Sequence, residues 1–142
     1  MGKVYPRAYN QLDQLDQIIS SSTLNAWYKE LIKIRASQIN GCAYCVHYHV
    51  AEAIKLNIPC SKIHLIAVWK ESPNVFSEQE RLLLSMTEEI TLIHLSGLSK
   101  KNYDRSIDLF GIEYTAHIIM MIILINAWNR IGVALKLEPE MI

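Results

Sequence analysis

The chain has little of what breaks a helix or staples a small secreted domain. Its 142 residues include only five glycines and four prolines, too few to punctuate a succession of short strands and tight hairpins. Three cysteines make an odd set without the spacing of a disulfide framework, so the protein is expected to rely on its core in a reducing compartment. Neither charge is in excess, with fourteen basic side chains against fourteen acidic ones. No cluster of Lys and Arg interleaves with aromatics, which argues against nucleic acid as a partner. Long apolar runs are missing too. The longest, "IIMMIILI" at 118–125, falls well short of the roughly 18 residues of a membrane span and predicts a helix buried on all sides, in the core or at a subunit interface. The N-terminal "MGKVYPRAYNQLDQLDQ" has no apolar signal region, and the expected location is the cytoplasm.

What is present has the period of helices. No stretch alternates every second residue, and the expectation is an all-α bundle of about six to seven helices forming a single domain over residues 1–142. Breaks are expected at Asn40-Gly41, Pro59, Ser72-Pro73, Gly97 and Gly111. Leu24, Trp27, Leu31 and Ile34 form the apolar stripe of a helix over 24–38, with Glu30 at its edge. The next helix is predicted from Gly41-Cys42 to Leu56, with Asn40 as its N-cap. The "SEQE" of Ser77 to Glu80 has the form of a capping box and predicts a helix running to Leu95. Ser99 is predicted to cap a helix ending at Gly111, and the final helix to run from Ile112 to Leu137.

One stretch carries chemistry. In "INGCAYCVHYH", residues 39–49, Cys42, Cys45 and His49 are separated by three and four positions and share one helix face, while His47 projects roughly opposite. Both sulfurs fall in the first helical turn, where free N–H groups and the positive end of the helix dipole stabilise a thiolate. An imidazole one turn away adds a proton acceptor. On these residues alone three readings remain open: a redox dithiol, part of a zinc site completed by Cys60 or His64, and small residues that fit a core. A zinc site would normally pair two short ligand motifs, and no second one is apparent. Val46 after Cys45 excludes a c-type haem attachment.

The longer segment "ELIKIRASQINGCAYCVHYHVAEAIKLN" resembles the core of alkylhydroperoxidase D-like (AhpD-like) proteins in the carboxymuconolactone decarboxylase superfamily. The resemblance rests on Glu30 twelve residues before Cys42, the "SQINGC" lead-in, the Cys42-x-x-Cys45 pair and His49 four residues after Cys45. Weaker similarity extends through "FSEQERLLLSMTEEIT" and "INAWNRIGVALKLEP". Tyr44 stands where alkylhydroperoxidase D itself has a relay histidine, and the decarboxylase branch lacks the cysteine pair. The resemblance implies an all-α fold, homo-oligomers, and a peroxidase-type oxidoreductase. In that reading Cys42 and Cys45 cycle between dithiol and disulfide, Glu30 and His49 relay protons, and no metal or other cofactor takes part. The implied partners are a hydroperoxide substrate and an external dithiol or thiol-protein reductant, with no nucleic acid and no membrane. Two other classes stand beside it: a redox-sensing or metal-binding module without turnover, and an oligomeric structural or ligand-binding protein on the same fold.

Other residues carry milder expectations. Cys60 reads as a small packing residue, and His64, His94 and His117 as core or interface histidines. Asn126 and Arg130 suggest a helix-to-helix or subunit contact. Met120 and Met121 are candidates to line an apolar access channel.

Overall fold

A computed structural model describes residues 3–140. Seven α-helices follow one another: α1 (Pro6–Ser20), α2 (Ala26–Asn40), α3 (Ala43–Lys55), α4 (Cys60–His64), α5 (Glu78–Thr91), α6 (Lys100–Phe110) and α7 (Ile112–Ala134). A 3-10 segment, Leu65–Glu71, joins α4 to α5, and no strand occurs among the described residues. The all-α bundle expected from the spacing is the observed fold.

Local chemistry explains the boundaries. Asn25 opens α2 by accepting the Trp27 backbone N–H on its Oδ1 at 2.9 Å. Gly41 closes it at φ 68°, a left-handed position that glycine adopts without penalty. The turn is so tight that the expected cap of the next helix is displaced. Asn40 is the last residue of α2, and Cys42 is the N-cap of α3. The capping box at α5 is present: Ser77 Oγ accepts from the Glu80 backbone N–H, while Glu80 Oε2 accepts from that of Ser77 at 2.7 Å. Glu80 Oε1 also accepts from Trp27 Nε1 at 2.5 Å and Lys62 Nζ at 2.6 Å, so one carboxylate ties α5 to α2 and α4. The α5 helix ends at Thr91 rather than Leu95, and Ile93, His94 and Leu95 lie exposed in the turn that follows.

Helices α2 and α7 form the centre, and α5 packs on both of them. Leu31, Ile34, Leu83, Met86, Ile118 and Ile122 are wholly removed from solvent, each contributing about 1.5–3 kcal/mol of burial free energy. By length and a mean hydropathy of 1.5, α7 qualifies as a membrane span. Its packing against α1, α2, α3, α5 and α6 identifies it instead as a core helix of the bundle. The expectation of burial on every side is corrected in one respect. Ile112, Ala116, Met120 and Ile123 form an outward stripe, with Ile123 47% exposed.

Candidate active site

Cys42 and Cys45 are joined as a disulfide at the start of α3, with Cα atoms 5.3 Å apart. Both are buried, at 2% and 6% exposure. The Cys42 Sγ caps its own helix by accepting the Cys45 backbone N–H at 3.4 Å, so one sulfur sits where a helix N-terminus favours negative charge. The opposite wall is Gly132 on α7. A Cβ there would stand 2.7 Å from the Cys42 sulfur and 3.4 Å from that of Cys45. No larger residue fits without moving the sulfurs.

Glu30 on α2 and His49 on α3 meet beside the pair. Glu30 is only 8% exposed, and its Oε2 lies 2.8 Å from His49 Nδ1. Burial pushes the Glu30 carboxyl up, but the hydrogen bond from His49 and the nearby Lys33 charge outweigh it, and the group titrates below its ordinary range. An ionised carboxylate can only accept, so Nδ1–H donates and Nε2 is left as the basic ring nitrogen. Lys33 Nζ stands 3.5 Å from the other oxygen, Oε1, one helical turn along α2.

A buried amide cluster fixes the turn between α2 and α3. Asn40 Nδ2 donates to Asn126 Oδ1 and Asn129 Oδ1, both at 2.9 Å. Asn129 Nδ2 donates to Ser37 Oγ at 2.9 Å, and Asn126 Nδ2 to Thr91 Oγ1 at 3.0 Å. The Ser37 carbonyl in turn accepts the Cys42 backbone N–H at 3.0 Å. The cysteine turn is thereby tied to the helix that carries Gly132.

A cavity of about 380 Å³ opens between α1, α3 and α7. Cys45 and His49 lie on its wall, together with Tyr9, Tyr44, Tyr48 and Trp128. Helix α1 is held there by the edge-on contact of Tyr9 with Trp128, ring centroids 5.4 Å apart, and by Trp128 Nε1 donating to Asp16 Oδ2 at 3.0 Å. Cys42 borders a separate, shallower cleft beside His47 and Val50.

The structure therefore brings together all four residues singled out from the motif, and it places His47 outside the Cys45 cavity, on the cleft that Cys42 borders. Other expectations are corrected. Cys60 is exposed on α4 rather than packed, and His64 and His94 are exposed because their helices end at the surface. His117 is half-buried, its Nδ1 unpartnered. Met121 belongs to the core and Met120 to the outward stripe, and neither borders the Cys45 cavity. Asn126 does make the expected helix-to-helix contact, whereas Arg130 turns back onto the Asn126 carbonyl of its own helix. No three His, Cys, Asp or Glu side chains are grouped as for a metal ion among the described residues. Sequence reasoning missed Gly132 and the α1 wall. The signal for Gly132 was a glycine inside an otherwise strong helical pattern, which implies close packing.

Fold and site together define an all-α bundle built around a buried Cys-x-x-Cys pair with a carboxylate–imidazole pair beside it. The profile of the carboxymuconolactone decarboxylase family matches residues 5–89, a segment holding all four motif residues. YdfG of Bacillus subtilis strain 168, an uncharacterised protein, is 31% identical over 133 residues, spanning 94% of this chain and 90% of that one. A crystal structure of a protein of unknown function from Agrobacterium tumefaciens, described as a candidate antioxidant defence protein AhpD, superposes with a TM-score of 0.94. It shares 35% identity, covering 99% of this chain and 96% of that one. An uncharacterised peroxidase-related protein from Silicibacter sp. TM1040 shares the fold at a TM-score of 0.80 and 18% identity, over 92% of this chain and 69% of that one. The chain belongs to the carboxymuconolactone decarboxylase family and is AhpD-like.

Proposed function

We propose that the protein is a cysteine-pair peroxidase that reduces organic hydroperoxides through Cys45, Cys42, His49 and Glu30. The observation that carries this reading is the shared wall: Cys45 and His49 border one cavity, and Glu30 holds the imidazole so that Nε2 is its basic nitrogen. The relationship to a candidate antioxidant defence protein at 35% identity supports it.

In the reduced protein His49 Nε2 accepts the Cys45 thiol proton, directly or through one water. The thiolate attacks the terminal oxygen of the hydroperoxide, so that an S–O bond forms as the O–O bond breaks. The departing alkoxide takes the proton from His49 and leaves as an alcohol. Cys42 then attacks the Cys45 sulfenic acid, forming the disulfide and releasing water. A dithiol entering the same cavity attacks Cys45, and Cys42 leaves as a thiolate at the N-cap of α3, where the Cys45 backbone N–H is already in place. The second reductant thiol then attacks the reductant sulfur bonded to Cys45, so that Cys45 leaves as a thiolate and the reductant departs as a disulfide.

Cys45 is assigned the peroxidatic role because it reaches the cavity, whereas Cys42 is 2% exposed and borders a different cleft. The chain acts as one domain in a reducing compartment, as a homo-oligomer whose contacts cover the outward apolar stripe of α7. Hydroperoxide consumption with dihydrolipoamide as reductant tests the reading. Cys45→Ser should abolish it, and His49→Ala should slow it by about 10²–10⁴-fold. Full turnover by Cys45→Ser would overturn the assignment.

A further inference from the structure

The cavity wall carries charge of one sign. Asp13 and Asp16 of α1 border the space that opens onto Cys45, and no Lys or Arg does. Neither carboxylate takes part in an ion pair among the described residues: Asp16 accepts from Trp128 Nε1 at 3.0 Å, and Asp13 from Gln17 Nε2 at 3.1 Å. Arg130, next in sequence to the lining residue Ile131, is not on this wall and donates from Nη1 to the Asn126 carbonyl and side-chain oxygens. The remaining walls are largely aromatic and aliphatic, including Tyr9, Tyr48, Ile125 and Trp128. A compound entering here meets aromatic and aliphatic side chains and two carboxylates with no Lys or Arg on the same wall.

We infer that Asp13 and Asp16 select by charge, admitting uncharged or cationic apolar hydroperoxides and turning away those that carry a carboxylate. The inference rests on the proposed peroxidase reading and names the substrate class of that site. Its physical basis is simple. An anion approaching Cys45 passes Asp13 and Asp16 and is repelled by both, an effect that salt screens, and no Lys or Arg on the wall offers it a counter-charge. The same field acts on the reductant, so an uncharged dithiol such as dihydrolipoamide is favoured over its carboxylate form.

Two matched probe pairs separate this inference from the reading beneath it. The first is alkylation of the reduced protein by iodoacetamide and by iodoacetate, which differ in charge, mapped by mass spectrometry to Cys45. Cys60, exposed on α4 and outside the cavity, serves as the internal reference. At low salt the preference for iodoacetamide should be about tenfold greater at Cys45 than at Cys60, and it should shrink as ionic strength rises and the screening length falls. Asp13→Asn/Asp16→Asn should bring the Cys45 preference close to that of Cys60. The second pair is cumene hydroperoxide and its para-carboxylate, compared by their rates of thiol loss in the pre-reduced protein, and the ratio should move in the same way. A Cys45 preference equal to that of Cys60 in the wild type, or one unmoved by both salt and the double substitution, would overturn charge selection. If alkylation is selective but neither hydroperoxide oxidises the pair, the peroxidase reading fails while the selective cavity stands.

Discussion

His49 Nδ1 and Glu30 Oε2 stand 2.8 Å apart, contributed by the consecutive helices α3 and α2 at positions nineteen residues apart in sequence. The contact gives a buried carboxylate a hydrogen-bond donor and at the same time orients the imidazole that shares a cavity wall with Cys45. Removing Glu30 leaves the His49 Nδ1–H buried without an acceptor, which typically costs about 1–3 kcal/mol. Glu30→Ala should therefore lower the denaturation midpoint markedly, and Glu30→Gln less, because the amide oxygen still accepts from Nδ1. Chemical denaturation of the two variants beside the wild type checks the order.

Acid should destabilise the fold through the same group. Burial raises the Glu30 carboxyl, but its hydrogen bond to His49 and the Lys33 charge lower it further, leaving it below its ordinary 4.5. Folding then binds the carboxylate form preferentially. The stabilisation is fully present above that ordinary value and is lost as pH falls through the lower folded-state value. Glu80 and Glu88 behave alike, since burial is outweighed by bonds from Lys62 and Trp27 at one and from Lys70, Trp69 and Arg35 at the other. Unfolding free energy measured from pH 6 to pH 3 should decline, and the decline should be shallower in Glu30→Gln.

The substitution Gly132→Ala sets two effects against each other. In an ordinary helix interior the change gains up to about 1 kcal/mol. Here the new Cβ would lie 2.7 Å from the Cys42 sulfur, and overpacking of this kind typically costs about 1–3 kcal/mol. The variant should be less stable than the wild type, with the Cys42–Cys45 bridge more readily reduced by dithiothreitol. A stability gain in the oxidised form would show that the sulfurs can move aside at little cost.

Much of this arrangement was legible in the sequence. Helix existence followed from apolar spacing, and the caps at Ser77 and Ser99 followed from single residues, because both are local effects. The motif gave Glu30, Cys42, Cys45 and His49, whose proximity depends only on two helices joined by the short turn of Gly41 and Cys42. Asn40 misled because an asparagine before a glycine suits a cap, and only the tertiary partners Asn126 and Asn129 show why it stays in α2. Gly132, Trp128 and the carboxylates of α1 come from opposite ends of the chain, and no local pattern reports such a meeting. Exposure of Met120 and Ile123 was hidden for a similar reason, since an apolar run does not say which of its faces has a partner within the same chain.

Self-association is the expected outcome of that exposure. With Ile112, Met120 and Ile123 aligned on the outside of α7, the isolated chain presents an apolar stripe. Light scattering at micromolar concentration should give a mass that is a multiple of 16.3 kDa. Substituting Ile123→Glu should shift it toward the single-chain value without unfolding the bundle, because Ile123 is exposed in the monomer.

The central claim is that Cys42 and Cys45 act as one redox unit driven by hydroperoxide. Titration of free thiols in the fully reduced protein, before and after one equivalent of cumene hydroperoxide, tests it directly when the products are mapped by mass spectrometry. The account predicts rapid loss of two thiols, a Cys42–Cys45 bridge, and Cys60 still free. Slow oxidation scattered over all three cysteines, or loss of the exposed Cys60 first, would contradict it.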